Sequence, residues 1–342
     1  MPAPRSDPAA IDSLRRLTTG FWASQMIFVA ARLNIADALT KGPMKPDAIA
    51  KKVGAQASNL YRMLRALASI GIFAEDSKGR FKLTPMAQFL RSDHPTSLRD
   101  YVLMIVDDYN WLAWGELAHS VKTGETGFEH VFKMPGFDYL AQHPDKERAF
   151  SAAMASVTRT SNQAIAKALP LAGIEHLVDV GGAHGNLLTT ILHRHRKLRG
   201  TLFDLPQVVA AAPAAGFVSD PKIEVRCELA GGSFFDSVPE GADAYMMKSI
   251  LHDWDDDSAV RILKSCRKAM ANYGRVFIID FVIPKGNAPH PGKFMDINMM
   301  ALAGGRERTR DEFETLLKRA RLKLNRVIDA DMPQSIVEAV RA

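Results

Sequence analysis

Leu177-Val178-Asp179-Val180-Gly181-Gly182-Ala183-His184-Gly185, continuing into Asn186-Leu187-Leu188, is the stretch on which the fold turns. An apolar run bounded by glycines reads as a buried strand that ends in a tight turn and passes into a helix. Glycines there let a ligand come close to the backbone, and the following helix offers free N–H groups in its first turn. The Gly-x-Gly-x-x-Gly spacing of dinucleotide binders is not met, because Ala183 and Asn186 stand where two of the glycines are required. Asp204 follows Gly182 by 22 residues and closes the next strand, Gly200 to Asp204. A carboxylate at that place can accept hydrogen bonds from both hydroxyls of a ribose. Together the two features predict a nucleoside at the carboxyl edge of a parallel sheet, in the crevice where such sheets bind ligands.

Outward from this stretch, short apolar strands alternate with helices: Leu177–Val180, Thr201–Phe203, Ile223–Arg226, Ala244–Lys248 and Val276–Asp280. The alternation predicts an α/β domain over residues 170–342, with helices on both faces of a parallel sheet. Residues 98–169 read as a helical middle segment rich in aromatics, among them Trp111, Trp114, Phe128 and Phe150. Residues 1–97 read as a compact, mostly helical unit. Asp12–Thr40 is predicted as one long helix, apolar over most of its circumference and so in need of partners on more than one side. Pro46 to Gly54 is a short helix closed by glycine. Ser58 can cap a second helix with Leu60, Met63, Leu64, Leu67 and Ile70 at helical spacing, ended by Gly71. Ile72–Ala74 and Arg80–Thr84 flank a turn and read as a hairpin. Helix, turn, helix, hairpin is the order of a winged helix.

Of 342 residues, 44 are Lys or Arg and 38 Asp or Glu, a net charge of +6 that is unevenly spread. Residues 1–100 carry +7 and the remainder −1, so nucleic acid enters as a possible partner of the basic third. Two cysteines, Cys227 and Cys266, exclude a disulfide scaffold, and scattered histidines predict no metal site. Met1–Arg5 has no leader character, and Phe21–Leu39 is too short and polar to span a bilayer, so a cytoplasmic protein is expected.

A second chemical signal is Leu251-His252-Asp253-Trp254-Asp255-Asp256-Asp257. The preceding strand delivers His252 to the carboxyl edge, and a histidine's pKa of about 6.5 suits a base near neutral pH. Asp255, Asp256 and Asp257 are read as capping and dipole-complementing residues at the start of the next helix.

These motifs, with Phe203-Asp204-Leu205-Pro206, Gly231-Gly232-Ser233-Phe234-Phe235, Asp296-Ile297-Asn298-Met299 and Gly304-Gly305-Arg306-Glu307-Arg308-Thr309, resemble those of S-adenosylmethionine-dependent small-molecule O-methyltransferases. The group includes plant caffeate, animal acetylserotonin and bacterial polyketide and phenazine enzymes of secondary metabolism. The resemblance covers nearly the whole chain and implies a Rossmann-like catalytic domain behind a winged-helix-like dimerisation domain, and hence a homodimer. It implies a cofactor shell of Asp179, Gly181, Gly182, Asp204, Leu205, Ser233, Phe234, Lys248 and Trp254. His252 would be the general base, with Asp280 and Glu307 orienting its ring, and Phe150, Met154, Asn298 and Met299 would line the acceptor pocket. S-Adenosylhomocysteine would be the cofactor product, and the acceptor an aromatic small molecule; no metal, nucleic acid or membrane is expected. Three departures from the family pattern are Ser233 in place of an acidic residue, His184 in the glycine turn, and Asp280 in place of a glutamate, which shortens the reach to His252 by one methylene.

Rival readings are a nitrogen- or carbon-directed methyltransferase, a dehydrogenase, and a winged-helix DNA-binding sensor. The dehydrogenase fails on the glycine spacing. The sensor rests on Asn59, Arg62, Arg65 and Ser69 along one helix face, a pattern that more often marks a solvated surface.

Overall fold

The structure is a computed structural model; it describes residues 7–214, 217 and 220–342, with only the backbone of 159 and 160. The Met1–Arg5 stretch lies outside the described residues. The chain packs as two units: residues up to Trp111 with His143–Val157, and Leu112–Gln142 with Thr158–Ala342.

In the first unit the predicted helix Asp12–Thr40 is three helices, Pro8–Thr18, Gly20–Arg32 and Ile35–Ala38. The breaks fall at Thr19 and at Asn34, whose left-handed backbone (φ 53°) suits asparagine better than most residues. Asp7 caps the first helix by accepting from the N–H groups of Ala9 and Ala10. Helices Pro46–Val53 and Ala57–Ser69 and the strands β1 (Phe73–Glu75) and β2 (Phe81–Leu83) form the winged-helix arrangement. Gln56, not Ser58, caps the helix Ala57–Ser69: its Oε1 accepts from Asn59 N at 2.7 Å. Ile35, Ile49, Leu64, Leu67, Phe73 and Phe81 fill the core. Ile11, Leu14, Leu17, Phe21 and Trp22 remain exposed, Leu17 by 79%.

The second unit is built on seven strands: β3 (His176–Val180), β4 (Arg199–Asp204), β5 (Cys227–Gly231), β6 (Ala244–Lys248), β7 (Arg275–Asp280), β8 (Leu322–Asp329) and β9 (Ser335–Arg341). Their order is β5-β4-β3-β6-β7-β9-β8; β3 to β7 are parallel, and β9 runs antiparallel to both β7 and β8. Alternate residues serve opposite faces. Val178, Val180, Tyr245, Met247, Val276 and Ile278 pack into one core, and Leu177, Leu202, Ala244, Met246, Phe277 and Ile279 into the other. Helices therefore cover both sides, and the central strands read as nearly continuous apolar runs.

The predicted strand Ile223–Arg226 is instead covered by the short helix Pro221–Glu224 and its end, with the strand following at Cys227. Asp220 caps that helix and Pro221 opens it, a start signal that outweighs the two apolar residues Ile223 and Val225. β8 and β9 lie outside the alternating pattern read from the sequence; they add an antiparallel hairpin that covers the β7 edge. No described helix is long and apolar enough to cross a membrane.

Candidate active site

The sheet reverses its strand order at β3, which has β4 on one side and β6 on the other, so a crevice opens at its carboxyl end. The chain leaves β3 through Gly181 (φ 70°), whose N–H donates to Phe203 O at 2.8 Å. A side chain at Gly181 would drive its Cβ to 2.5 Å from Ile250 and 3.8 Å from the Phe234 ring. The absent Cβ lets Ile250 pack directly onto the turn at the mouth of the crevice. Asp204 closes β4 beside this turn: its Oδ2 accepts from Ala183 N at 2.8 Å and its Oδ1 from Leu205 N at 2.7 Å. Both oxygens keep a second lone pair for a ligand. Burial holds the Asp204 pKa above the usual range. Asp179 lies beneath Gly182, is buried, and has an Oδ2 with no hydrogen-bond partner among the described residues. Burial, then the charge of Asp204, pushes its pKa up to about 7.

Phe234, Phe235 and Trp254 form an edge-to-face cluster, with centroids 4.9 Å apart for Phe234–Phe235 and 4.8 Å for Phe235–Trp254. Phe234 thereby links the glycine turn to the segment after β6. Ser233 is turned inward, its Oγ accepting from Phe235 N at 3.3 Å. Lys248 Nζ donates to Ser161 Oγ at 2.9 Å and Asn162 Oδ1 at 2.8 Å, and burial lowers its pKa to about 8.

Beyond β6 a short 3-10 turn, Leu251–Asp253, carries His252. His252 Nδ1 lies 2.7 Å from Glu307 Oε1, and its Nε2 3.5 Å from Asp253 Oδ1. His252, Asp280 and Glu307 are all buried. Burial alone would lower the imidazole pKa, yet the charges of Asp253, Glu307 and Asp280 reverse that and push it up to about 10. Asp280, at the end of β7, makes no hydrogen bond to the ring, and among the described residues both its oxygens lack partners. The shorter side chain acts on His252 by charge alone. Burial raises the pKa of Asp280 to about 7 and that of Asp253 to about 6.

Four supports of this turn escaped the sequence reading. Asp253 is one. Arg308 is another: its guanidinium, 1% exposed, donates to Leu251 O at 2.9 Å, Trp254 O at 3.0 Å and Asp256 Oδ1 at 2.8 Å, so it clamps the turn from both ends. Asp256 is thus an ion-pair partner, whereas Asp255 is the helix cap, accepting from Ser258 N. Asp296 Oδ1 accepts from Glu307 N at 2.9 Å and fixes the loop that presents Glu307. Gly305 packs so tightly under the turn that a Cβ would stand 1.9 Å from His252 O. The signal was the charge density of Gly304–Thr309; burial, which gives those charges their meaning, is not written in sequence.

Of the expected acceptor residues, Asn298 Oδ1 accepts from Trp114 Nε1 at 2.9 Å and Met299 is buried, both on the helix Pro291–Leu302. Phe150 and Met154 belong to the first unit, on its His143–Val157 segment.

Comparison with known proteins then decides the family. A profile described as an O-methyltransferase domain matches residues 114–323, and one described as an O-methyltransferase dimerisation domain matches residues 15–93. The chain belongs to the O-methyltransferase family. It is 40% identical to a phenazine O-methyltransferase of Lysobacter antibioticus over 95% of each chain. It is 31% identical to a phenazine-1-carboxylate N-methyltransferase of Pseudomonas aeruginosa, over 98% of this chain and 99% of that one. A solved methyltransferase of calicheamicin biosynthesis, in an S-adenosylhomocysteine-bound form, superposes with a TM-score of 0.88 at 33% identity, covering 99% and 100% of the two chains.

Members of this O-methyltransferase family draw the methyl group from S-adenosylmethionine, and the residues here fit that molecule. The free lone pairs of Asp204 match a ribose diol. The orphaned Asp179 oxygen and the two raised carboxylate pKa values describe a site that gains from a bound cation.

Proposed function

We propose that this member of the O-methyltransferase family methylates a hydroxyl group of a small aromatic molecule, with His252 taking the hydroxyl proton. The reading rests above all on one observation, a buried imidazole held by Glu307 at the carboxyl edge beside the glycine turn. Asp179, Gly181, Gly182, Asp204, Leu205, Ser233, Phe234, Lys248 and Trp254 would hold the cofactor, which when bound supplies an already activated methyl group. The protein's task is then to align an acceptor oxygen and to remove its proton. Alignment contributes most. A phenol with a pKa of about 10 also gains about 10²–10⁴-fold from a positioned base. Glu307 holds the ring through Nδ1, which leaves Nε2, 3.5 Å from Asp253, to take the acceptor's proton, and it stabilises the imidazolium that then forms. Asp253 and Asp280 add negative charge to the same purpose. Any cation bound beside the ring lowers the His252 pKa and readies it as a base. Phe150, Met154, Asn298 and Met299 would line the acceptor side, where thioethers adapt to flat rings.

His252→Ala should lower O-methyl transfer by about 10²-fold or more while S-adenosylhomocysteine affinity stays near wild type. The acceptor would first be found by mass spectrometry over phenols, flavonoids, hydroxyphenazines and polyketide aromatics. Unchanged turnover in this variant would remove His252 from the mechanism. The Pseudomonas relative favours a second reading, a ring nitrogen as acceptor. Such a nitrogen carries no proton to remove, so its methylation would survive His252→Ala.

The chain is organised, in this reading, as a dimerisation domain over 1–97, a helical segment over 98–169 and a catalytic domain over 170–342. A second copy covers Ile11, Leu14, Leu17, Phe21 and Trp22, an apolar face too large to leave in water. Leu17→Asp should yield a monomer in light scattering; an intact dimer would count against that face.

A further inference from the structure

Apart from the site at the sheet edge, one group of side chains converges without a role in methyl transfer. The helix Leu117–Thr123 ends at Gly124 in the left-handed conformation, and Thr126 caps the next helix, Gly127–Phe132, by accepting from Glu129 N at 2.9 Å. This corner brings His119 from the first helix, Glu125 from the turn and His130 from the second helix to one place. The two imidazoles stack with centroids 3.8 Å apart. His119 Nε2 lies 2.6 Å from Glu125 Oε2. One ligand atom from each of the three residues can be chosen so that all lie within 4.8 Å of one another. Among the described residues no other group of three histidines, cysteines or carboxylates does so. Glu116 Oε2, 4.0 Å from His130 Nε2, stands at the rim.

The corner is rigid where it matters. Thr126, Gly127 and Phe128 are buried, and a Cβ on Gly127 would meet Ala113 O at 2.3 Å, so the turn cannot slide. His119, Glu125 and His130 reach outward from this base, with the side chains of Glu125 and His130 48% and 39% exposed and that of His119 mostly covered. A tetrahedral ion with metal–ligand distances of about 2.0–2.1 Å requires ligand atoms about 3.3 Å apart. The pair His119–Glu125 needs to open slightly to reach that value, and His130 needs to swing in.

We propose that His119, Glu125 and His130 bind a divalent transition-metal ion of the zinc class, with water or Glu116 completing the coordination. Two imidazoles and a carboxylate form a nitrogen–oxygen donor set of borderline softness, which suits zinc, cobalt or nickel and disfavours magnesium and calcium. The ion takes the place of the hydrogen bond between His119 Nε2 and Glu125 Oε2, and His119 binds it as a neutral imidazole that carries its one ring proton on Nδ1. Bound there, it ties the end of one helix to the start of the next. This linked pair packs against the helix Pro291–Leu302, which carries Asn298 and Met299.

Zinc titrated into the chelator-stripped full-length protein, in competition with a chromophoric chelator, tests the assignment. One ion per chain is expected. His119→Ala and His130→Ala should each weaken uptake by at least about 10-fold, and Glu125→Gln should weaken it as well. His193→Ala, remote from the corner, should leave it unchanged. Zinc should raise the melting temperature of wild type and not that of His130→Ala. Circular dichroism checks that each variant is folded, and Glu125, on an exposed turn, serves if a histidine variant is not. Absence of stoichiometric uptake by the wild type overturns the proposal, as does uptake that folded His130→Ala and Glu125→Gln retain in full.

Discussion

Glu307→Gln keeps the shape of a fully enclosed side chain and removes its charge. In the wild type Glu307 Oε1 sits 2.7 Å from His252 Nδ1, and the surrounding carboxylates push the histidine pKa up to about 10 against the cost of burial. A hydrogen bond to a charged group contributes about 1.5–3 kcal/mol, against about 0.5–1.5 kcal/mol for a neutral pair. The imidazolium therefore loses roughly 1–2 kcal/mol, or about one pKa unit at about 1.36 kcal/mol per unit. A base works only when deprotonated. In the free wild-type enzyme kcat/KM should thus climb with pH towards about 10, and in the variant the climb should end about one unit lower. The plateau should fall as well, by roughly 10²-fold, because an amide can offer Nδ1 either its oxygen or its nitrogen and no longer fixes the tautomer. The assay is kcat/KM from about pH 6 to above 10 by mass spectrometry of the methylated product, with S-adenosylhomocysteine quenching of tryptophan fluorescence as the control. A variant whose limb and plateau overlay those of the wild type refutes the reasoning. So does a loss that lies entirely in S-adenosylhomocysteine affinity.

Two further outcomes follow from buried charges. Arg308→Met leaves the carbonyls of Leu251 and Trp254 without their donor, at about 1–3 kcal/mol each, while half-exposed Asp256 adds little. Urea unfolding should show a loss of about 3 kcal/mol and kcat should fall with S-adenosylhomocysteine binding retained; wild-type stability would show that the clamp is dispensable. Asp179 keeps its proton in the native state up to about pH 7, whereas the unfolded chain loses it near pH 4. Its contribution to stability is full below that lower value and fades as pH rises through about 7, by about 4 kcal/mol at most. Asp179→Asn should flatten the fall of melting temperature between those limits and weaken S-adenosylhomocysteine binding; a curve parallel to wild type would contradict the assignment.

The central strands were legible because burial on both faces of a parallel sheet forces apolar runs, which periodicity detects. β5, β8 and β9 were not. β5 has half-exposed and exposed residues throughout, and Val225 just before it is 83% exposed, so apolar letters there misled. The hairpin β8–β9 carries Arg326 and buried Glu338, charges that look like surface until their ion pair is seen. The helix breaks at Thr19 and Asn34 likewise depend on what each short helix packs against.

For the site, the sequence by itself determined the glycine turn, the carboxylate of Asp204 and the histidine of the 3-10 turn, because each stands at the end of a strand and strand ends can be counted. It also carried the family motifs, and with them the order of the domains. Only the tertiary structure decided which acid touches the imidazole. Glu307 reaches Nδ1 and Asp280 does not, a difference of one methylene resolved across chain segments far apart in sequence. It alone showed Arg308 as a buried charge and Asp253 as a half-buried one against the imidazole, and it alone folded His119, Glu125 and His130 into one cluster. The physical reason is common to all of these. A residue's type fixes what chemistry it can do, whereas its pKa, its partners and its ligands depend on desolvation and on distances of a few ångströms, which exist only once the chain has closed on itself.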